Sequence, residues 1–246
     1  MMKKFVSIFG LFAKMSFYKI ILWLVILSVL QLSLYGIRLN GLLTEDINNI
    51  PILEETFNFI YPLSFLACLC IVCKVLISSS NHSEKTAYTV GRLQIGEKAF
   101  FYIQTAYNFL MLFALFAVQA ILLFVMCKYY VSQAPSELTS EQSLFLAFYR
   151  VDFLHSVLPL DETFMVVGNL SIIIGLSFAC ALFSFKSRHG KFSYSIIWLL
   201  AVVCLSFTRS MGTISSDINF QVLTLLLVLK GLYTVHIKEE EDEETN

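Results

Sequence analysis

Long apolar runs alternate with shorter polar stretches along the whole chain. A transmembrane α-helix needs about 20 mostly apolar residues to cross about 30 Å of hydrocarbon. Runs near that length, the fifth being the shortest, occupy residues 18–35, 57–78, 106–130, 163–185, 193–207 and 218–237. The pattern therefore predicts an all-α, polytopic membrane protein in which residues 1–237 form a single domain with six transmembrane helices.

Two other segments are apolar on one helical face only. In residues 1–16, Ile8 and Phe12 share an apolar face, and Lys14 lies on the opposite face. This arrangement predicts an N-terminal helix in the membrane interface with its apolar side in lipid. Residues 136–160 also have a broad apolar face, but they are too charged to cross a membrane. We expect them to form an amphipathic segment at the outer surface.

Composition agrees with a membrane location. Of the 246 residues, 57% are hydrophobic and 14% are charged, whereas soluble domains carry about 25% charged residues. The six cysteines lie inside or at the ends of apolar runs, and only Cys70 and Cys73 form a C-x-x-C pair. Because no second pair or nearby histidine completes a set of ligands, we expect neither a disulfide framework nor a metal site.

The distribution of basic residues predicts the orientation. With a cytoplasmic N-terminus, 13 of the 17 Lys and Arg residues fall on the cytoplasmic side of the six predicted spans. The opposite side keeps only Arg38, Lys128, Arg150 and Arg209. Since an excess of Lys and Arg marks the cytoplasmic side and acidic residues count for little, we expect both termini in the cytoplasm. Residues 238–246 then form an acidic, disordered tail.

The sequence offers no recognisable catalytic chemistry. It contains no H-E-x-x-H metal motif, no paired-acid motif and no G-x-x-x-x-G-K-[ST] nucleotide-binding loop. The four histidines lie in loops or at the ends of spans. We therefore expect that the chain is not an enzyme and holds no catalytic residue, cofactor or metal of its own.

Three polar residues inside the predicted spans are candidates for a transport pathway, because polar groups at membrane depth are costly and often functional. They are Gln119, Asn169 and Lys230. Hydrogen bonds between helices would equally account for Gln119 and Asn169. Snorkelling of a long side chain to the headgroups would account for Lys230. The sequence leaves both interpretations open.

Small residues recur at helical spacing on two spans. Ala114, Ala117 and Ala120 lie on the third span, and Gly168 and Gly175 lie on the fourth. Small residues let helices approach closely in a membrane. Internal packing and a dimer interface both fit these positions, and we favour internal packing.

The polar loop at residues 80–105 is the longest polar-rich stretch with helical character. Charge counting places it in the cytoplasm, and its glycines divide it between Gly91 and Gly96. Glu97 is expected to begin the next helix, where its charge suits the helix dipole. A short helix held between two spans is well placed to contact another protein, although an ordinary connecting loop would also fit.

The segment EKTAYTVGRLQIGEK, residues 84–98, resembles the cytoplasmic loop of ATP-binding-cassette (ABC) transporter permeases of the type-2 exporter class. In that class the loop typically ends near R-L-P-I-S-x-x-E. Arg92, Leu93 and Ile95 match in place. Gln94 stands where proline is usual, Gly96 stands where serine is usual, and Glu97 lies close to the common acid position.

This resemblance implies a small six-span bacterial permease in the cell membrane. Two permease chains and two ATPase chains would form the exporter, with ATP and Mg²⁺ bound by the ATPases and membrane lipids as the surroundings; no nucleic acid is involved. The loop would be the coupling helix that docks on the ATPase. The docking residues would be Glu84, Tyr88, Arg92, Leu93, Ile95 and Glu97.

Two other function classes remain open at this point. One is a channel or immunity-type membrane protein that needs no ATPase. The other is a solute-binding membrane module of another transporter, a class that couples through stripes of small residues such as Ala114, Ala117 and Ala120. Binding of an ATPase separates the permease from the channel.

Overall fold

The computed structural model describes residues 2–44, 55–57, 59–81, 96–133, 151–159, 163–188, 194, 196–197, 199–201, 203, 218 and 221–234. The helices with defined bounds are α1 (Met2–Thr44), α2 (Ile60–Asn81), α3 (Glu97–Gln133), α4 (Asp152–Val157), α5 (Thr163–Arg188) and α6 (Gln221–Thr234). No strand occurs in these residues. Helices α1, α2, α3 and α5 are long and apolar enough to cross a membrane. The prediction of an all-helical fold is thus confirmed for the described residues, and the four long apolar helices agree with a membrane-embedded protein.

Two of the helices are much longer than the apolar runs that predicted them. Helix α1 has 43 residues and α3 has 37, which correspond to about 64 Å and about 55 Å at 1.5 Å per residue. An apolar run marks the part suited to lipid, whereas a helix continues until its backbone hydrogen bonds are interrupted. Neither helix contains proline, the residue that most readily interrupts them. Both helices therefore extend beyond a hydrocarbon layer of about 30 Å.

Helices α1 and α3 run in the same direction along their whole shared length. The rings of Phe12 and Phe100 lie 5.3 Å apart near one end. The rings of Tyr35 and Tyr129 lie 6.4 Å apart near the other end. Since residue numbers rise together on the two helices, α1 and α3 are parallel.

Helix α2 runs against α1, and α5 runs against α3. Near the start of α2, Ser64 accepts a hydrogen bond from Gln31, and four residues later the Cys68 thiol lies 3.9 Å from the carbonyl oxygen of Trp23. The same reversal on α5 appears in the contacts that link Asn108 with Ser177 and Phe100 with Arg188. The first four long helices therefore alternate in direction along the chain.

Helix α6 is parallel to α5 and packs against its glycines. A Cβ atom at Gly175 would collide with the methyl group of Thr224, and one at Gly168 would lie 3.7 Å from Nε2 of Gln221. Near the other end, Gly231 of α6 faces Leu182. Internal packing, which the sequence favoured for the two α5 glycines, is therefore confirmed. Leu225 and Leu229 on the opposite face of α6 are exposed.

The hydrophobic core lies among α1, α2, α3 and α5, and it includes three residues from the fifth predicted span. Of residues 193–207, the structure describes only part. Ile196, Leu199 and Val203 within that part are buried in the core. The fifth apolar run thus packs inside the bundle at these positions.

The two segments predicted to be amphipathic both place apolar residues against the bundle. Residues 2–16 continue into α1 without a break, and Ile8 and Phe12 are buried in the core. Phe153 of α4 is also buried, with its ring 6.3 Å from that of Phe65. Ile8 and Phe12 therefore contact protein rather than lipid. The location of the two segments at the membrane surfaces stays a prediction.

Candidate functional site

Three amide side chains line one buried face of α3. Gln104 and Asn108 are each 1% exposed, and Gln119 is fully buried. They are four and 11 residues apart, which is close to one and three helical turns, so they share a face. Polar groups on the buried face of an apolar helix are costly unless they are paired. The hydrogen-bond partners of these three amides therefore decide how far the cost of their burial is offset.

Gln119 belongs to a hydrogen-bonded network that joins three helices, which we call the Gln119 network. Its Nε2 donates to Oε1 of Gln31 at 3.0 Å, while its own Oε1 is buried without a hydrogen-bond partner among the described residues. Nε2 of Gln31 donates in turn to Oγ of Ser64 at 2.9 Å and lies 3.4 Å from the carbonyl oxygen of Tyr61. Ser64 donates to that same carbonyl oxygen at 2.8 Å. The network ties α1, α2 and α3 together near the middle of α3.

Gln104 and Asn108, the Gln104–Asn108 pair, have few partners. Nδ2 of Asn108 lies 3.3 Å from the carbonyl oxygen of Ser177 on α5. Oδ1 of Asn108 and both amide atoms of Gln104 are buried and have no hydrogen-bond partner within the described part of the chain. Three amide atoms within one turn of α3 are therefore left unpaired.

The face that carries this pair is bordered by aromatic residues. Tyr107 shares a hydrogen bond of 2.7 Å between its hydroxyl and that of Ser16, and its ring stacks on Phe12 at 5.8 Å. On the other border, the ring of Phe101 lies 6.0 Å from that of Phe178 on α5. Gln104 therefore points between α1 and α5, into the interior of the bundle.

An arginine joins the end of α5 to the start of α3. The guanidinium carbon of Arg188 lies 4.4 Å from the ring centroid of Phe100, a distance typical of a cation–π contact. Glu97, in the first turn of α3, interacts electrostatically with Arg188. Because Phe100 also packs on Phe12, the first turn of α3 is held against both α1 and α5.

Aromatic residues gather at the opposite end of the bundle. Tyr35 lies at the centre, with ring centroids of Phe57 and Tyr61 at 5.5 Å and 6.5 Å. The hydroxyl of Tyr35 and Nε of Arg38 are buried without a hydrogen-bond partner among the described residues. The acidic residues nearest in sequence to Arg38 lie in residues 45–54, which are outside the described ranges.

The structure gives the three sequence-predicted pathway residues separate surroundings. Gln119 lies in the three-helix network. Asn169 is half-buried, and its Nδ2 donates to the carbonyl oxygen of Ser156 on α4 at 2.8 Å. Lys230 lies on the exposed face of α6. Hydrogen bonding therefore accounts for the first two residues, and the exposure of Lys230 agrees with snorkelling.

Most of the predicted docking residues cannot be placed. Glu84, Tyr88, Arg92, Leu93 and Ile95 lie outside the described residues, as does the tail at residues 238–246. Of the set, only Glu97 is described, and α3 begins at this residue as the sequence predicts. The docking role of all six residues stays a prediction.

Sequence reasoning missed the Gln104–Asn108 pair and Gln31. Gln104 was assigned to the polar loop at residues 80–105, because the predicted third span began at residue 106, and Asn108 lay inside that span but was not named as a candidate. The signal that could have found them was their four-residue spacing next to an apolar run, which already describes one face of a helix. Within the described residues, no group of three or more His, Cys, Asp or Glu side chains is arranged to hold a metal ion.

Comparisons with known proteins find no match among family models, curated proteins or solved structures. The residues and contacts of the chain itself therefore carry the functional proposal.

Proposed function

We propose that this chain is the membrane-spanning permease subunit of an ABC exporter in a bacterial cell membrane. Two such chains form the translocation pathway, and separate ATPase chains bind ATP and Mg²⁺ and perform the hydrolysis. The chain itself is not an enzyme. The proposal rests on the similarity of residues 84–98 to the docking loop of type-2 permeases and on the bundle of apolar helices that this loop joins.

The proposal includes six spans with both termini in the cytoplasm. The directions of the described helices support it, because α1, α2, α3 and α5 alternate as successive crossings require. Helix α6 runs parallel to α5, so the chain between them must return across the bundle once more. Ile196, Leu199 and Val203 lie in the core, where a fifth crossing would run. The positive-inside distribution of Lys and Arg then gives the absolute orientation.

One observation carries the coupling role above all. Helix α3 starts at Glu97, within the predicted docking loop at residues 80–105, and its first turn is held by Phe12 on α1 and Arg188 on α5. A displacement of the loop would therefore act on three long helices together. This is the mechanical connection that an ATP-driven permease needs between its docking element and its membrane helices.

The first experiment tests ATPase binding. The tagged chain is purified from its own cells, and co-purifying ABC ATPases are identified by mass spectrometry. We expect Arg92→Glu combined with Leu93→Asp to reduce ATPase recovery at least about tenfold, since loss of central contacts in an interface commonly costs more than 1.4 kcal/mol. Lys14→Glu is the matched control, because it reverses an exposed charge on the same predicted side of the membrane.

Three outcomes would contradict parts of the proposal. Unchanged ATPase recovery in the double variant would remove the docking role of Arg92 and Leu93. Recovery of no ATPase with the unaltered chain would favour a channel or immunity-type protein. Labelling of Glu84→Cys and Ser132→Cys from the same side of the membrane by an impermeant thiol reagent would contradict the six-span orientation, which places them on opposite sides.

A further inference from the structure

Three unpaired amide atoms in one turn of a buried helix face need a partner that the described chain does not supply. They are Nε2 and Oε1 of Gln104 and Oδ1 of Asn108. Buried polar groups in native proteins are nearly always hydrogen-bonded, to protein or to ordered water. The Gln104–Asn108 pair therefore presents hydrogen-bonding groups inside the bundle that a water molecule or a bound ligand could pair.

The position of the pair along α3 bears on whether water can reach it. The middle of α3 is residue 115, so Gln104 lies 11 residues towards the Glu97 end, about 16 Å along the axis. Half of a hydrocarbon layer is about 15 Å. A layer centred on the middle of α3 would therefore end near Gln104, which also lies just before the start of the predicted third span at residues 106–130, while its side chain is buried in the bundle.

The chemistry of the unpaired atoms defines the class of ligand. Gln104 offers a donor and an acceptor, and Asn108 offers a second acceptor, all on neutral amides. Arg188 and Glu97, which lie near the start of α3, carry opposite charges, so neither the pair nor these neighbours supply a net charge to offset that of an ionic ligand, and burying an unpaired charge is costly. A hydroxyl or an amide group satisfies both kinds of atom without a charge.

We propose that the Gln104–Asn108 pair forms a hydrated binding site for uncharged groups that both donate and accept hydrogen bonds, namely hydroxyls and amides. The proposal is independent of the ATPase partner, because it concerns only the interior of this chain. Its failure is therefore distinguishable from failure of the permease assignment.

Thiol labelling tests the site in the full chain, reconstituted without any partner. Gln104→Cys and Asn108→Cys are treated with hydroxyethyl methanethiosulfonate, which is uncharged, and with trimethylammonioethyl methanethiosulfonate, which is a cation. Both reagents need a hydrated thiolate. The unaltered chain gives the background of the native cysteines. Leu115→Cys is the matched control, since Leu115 is fully buried on the same face of α3.

We expect the uncharged reagent to modify both pair variants at least about tenfold faster than Leu115→Cys, because a dry position reacts only after local opening. For each reagent, the labelling rate at the pair is divided by its rate on the exposed Ser132→Cys. This ratio should be about tenfold higher for the uncharged reagent than for the cationic one, because a charge meets a modest energy barrier at the buried pair. Rates equal to that of Leu115→Cys would show that the position is dry and overturn the proposal. Equal relative rates of the two reagents would overturn its selectivity. Two separate variants keep the test valid if one of them misfolds.

Discussion

Gln104 and Gln119 are the same residue on the same buried face of one helix, but their surroundings differ. Nε2 of Gln119 donates to Gln31, which in turn donates to Ser64, so that hydrogen bonds join three helices, and only Oε1 of Gln119 has no partner among the described residues. Gln104 has no hydrogen-bond partner among the described residues. The two glutamines therefore illustrate two ways in which a membrane protein can accommodate a buried amide side chain.

The two residues lie differently relative to the predicted third span at residues 106–130, because Gln119 is near its middle and Gln104 lies just before its start. Near the middle of the layer no water is available, so a polar side chain must find its partners within the protein. At the edge of the layer, water can supply the hydrogen bonds that a polar side chain needs. The contrast makes a clear claim about the two positions: the Gln119 network is dry and structural, whereas the Gln104–Asn108 pair is wet. Three substitutions test that claim, from the largest expected effect to the smallest.

A negative charge should separate the two positions most strongly. Gln119→Glu places a carboxylate near the middle of α3, where a charged side chain costs about 3 kcal/mol. Gln104→Glu places the same group within reach of water and should cost less than half as much. Thermal unfolding of both variants in bicelles measures the difference. Equal losses would show that the two positions are equally hydrated, and the contrast would fail.

Removing one partner of the network should give the next largest effect. Gln119→Leu leaves Oε1 of Gln31 buried without its donor, and we expect a loss of about 1–2 kcal/mol in unfolding free energy. Gln31→Leu combined with Gln119→Leu should lose less than the sum of the single changes, because both ends of that hydrogen bond are then apolar. Strict additivity in the double-mutant cycle would indicate that the bond contributes nothing.

The smallest change is expected at the unpaired glutamine. Gln104→Leu removes two unpaired polar atoms and no hydrogen bond between described residues, so the unfolding free energy should stay within about 1 kcal/mol of the unaltered chain or rise. Asn108→Leu serves as the comparison, because it removes the 3.3 Å contact with Ser177 and should be slightly more harmful. A loss at Gln104→Leu as large as that at Gln119→Leu would reveal a structural partner for Gln104.

The sequence predicted the class of the fold well because the length of an apolar run depends on one requirement only, which is compatibility with lipid. Its limits appear where helices leave the lipid. The predicted third span began at residue 106, yet α3 begins at Glu97, and this difference of nine residues concealed Gln104 from the search for polar residues in spans. Hydropathy reports where lipid can surround a helix, and it does not report where the backbone hydrogen bonds start.

Hydrogen bonds between residues on different helices were the second feature that the sequence could not predict. Gln119 was identified as a candidate pathway residue, but its partner Gln31 lies 88 residues away in the chain, and no local pattern connects them. The glycines at 168 and 175 were easier to interpret, since small size has one main physical consequence, which is close approach. Residues whose role depends on a distant partner are those that periodicity cannot assign.

The parallel arrangement of α5 and α6 constrains how the protein can be made. Neighbouring antiparallel helices can enter a membrane together as a hairpin, but two parallel helices cannot. Helices insert first and associate afterwards, so α6 can settle beside Gly168 and Gly175 only once the chain emerging after Arg188 has travelled back to the far end of α5. The face of α5 that carries Gly168 and Gly175 is therefore exposed during synthesis and is the last to be covered. Assembly of a nascent chain is most vulnerable at this glycine face.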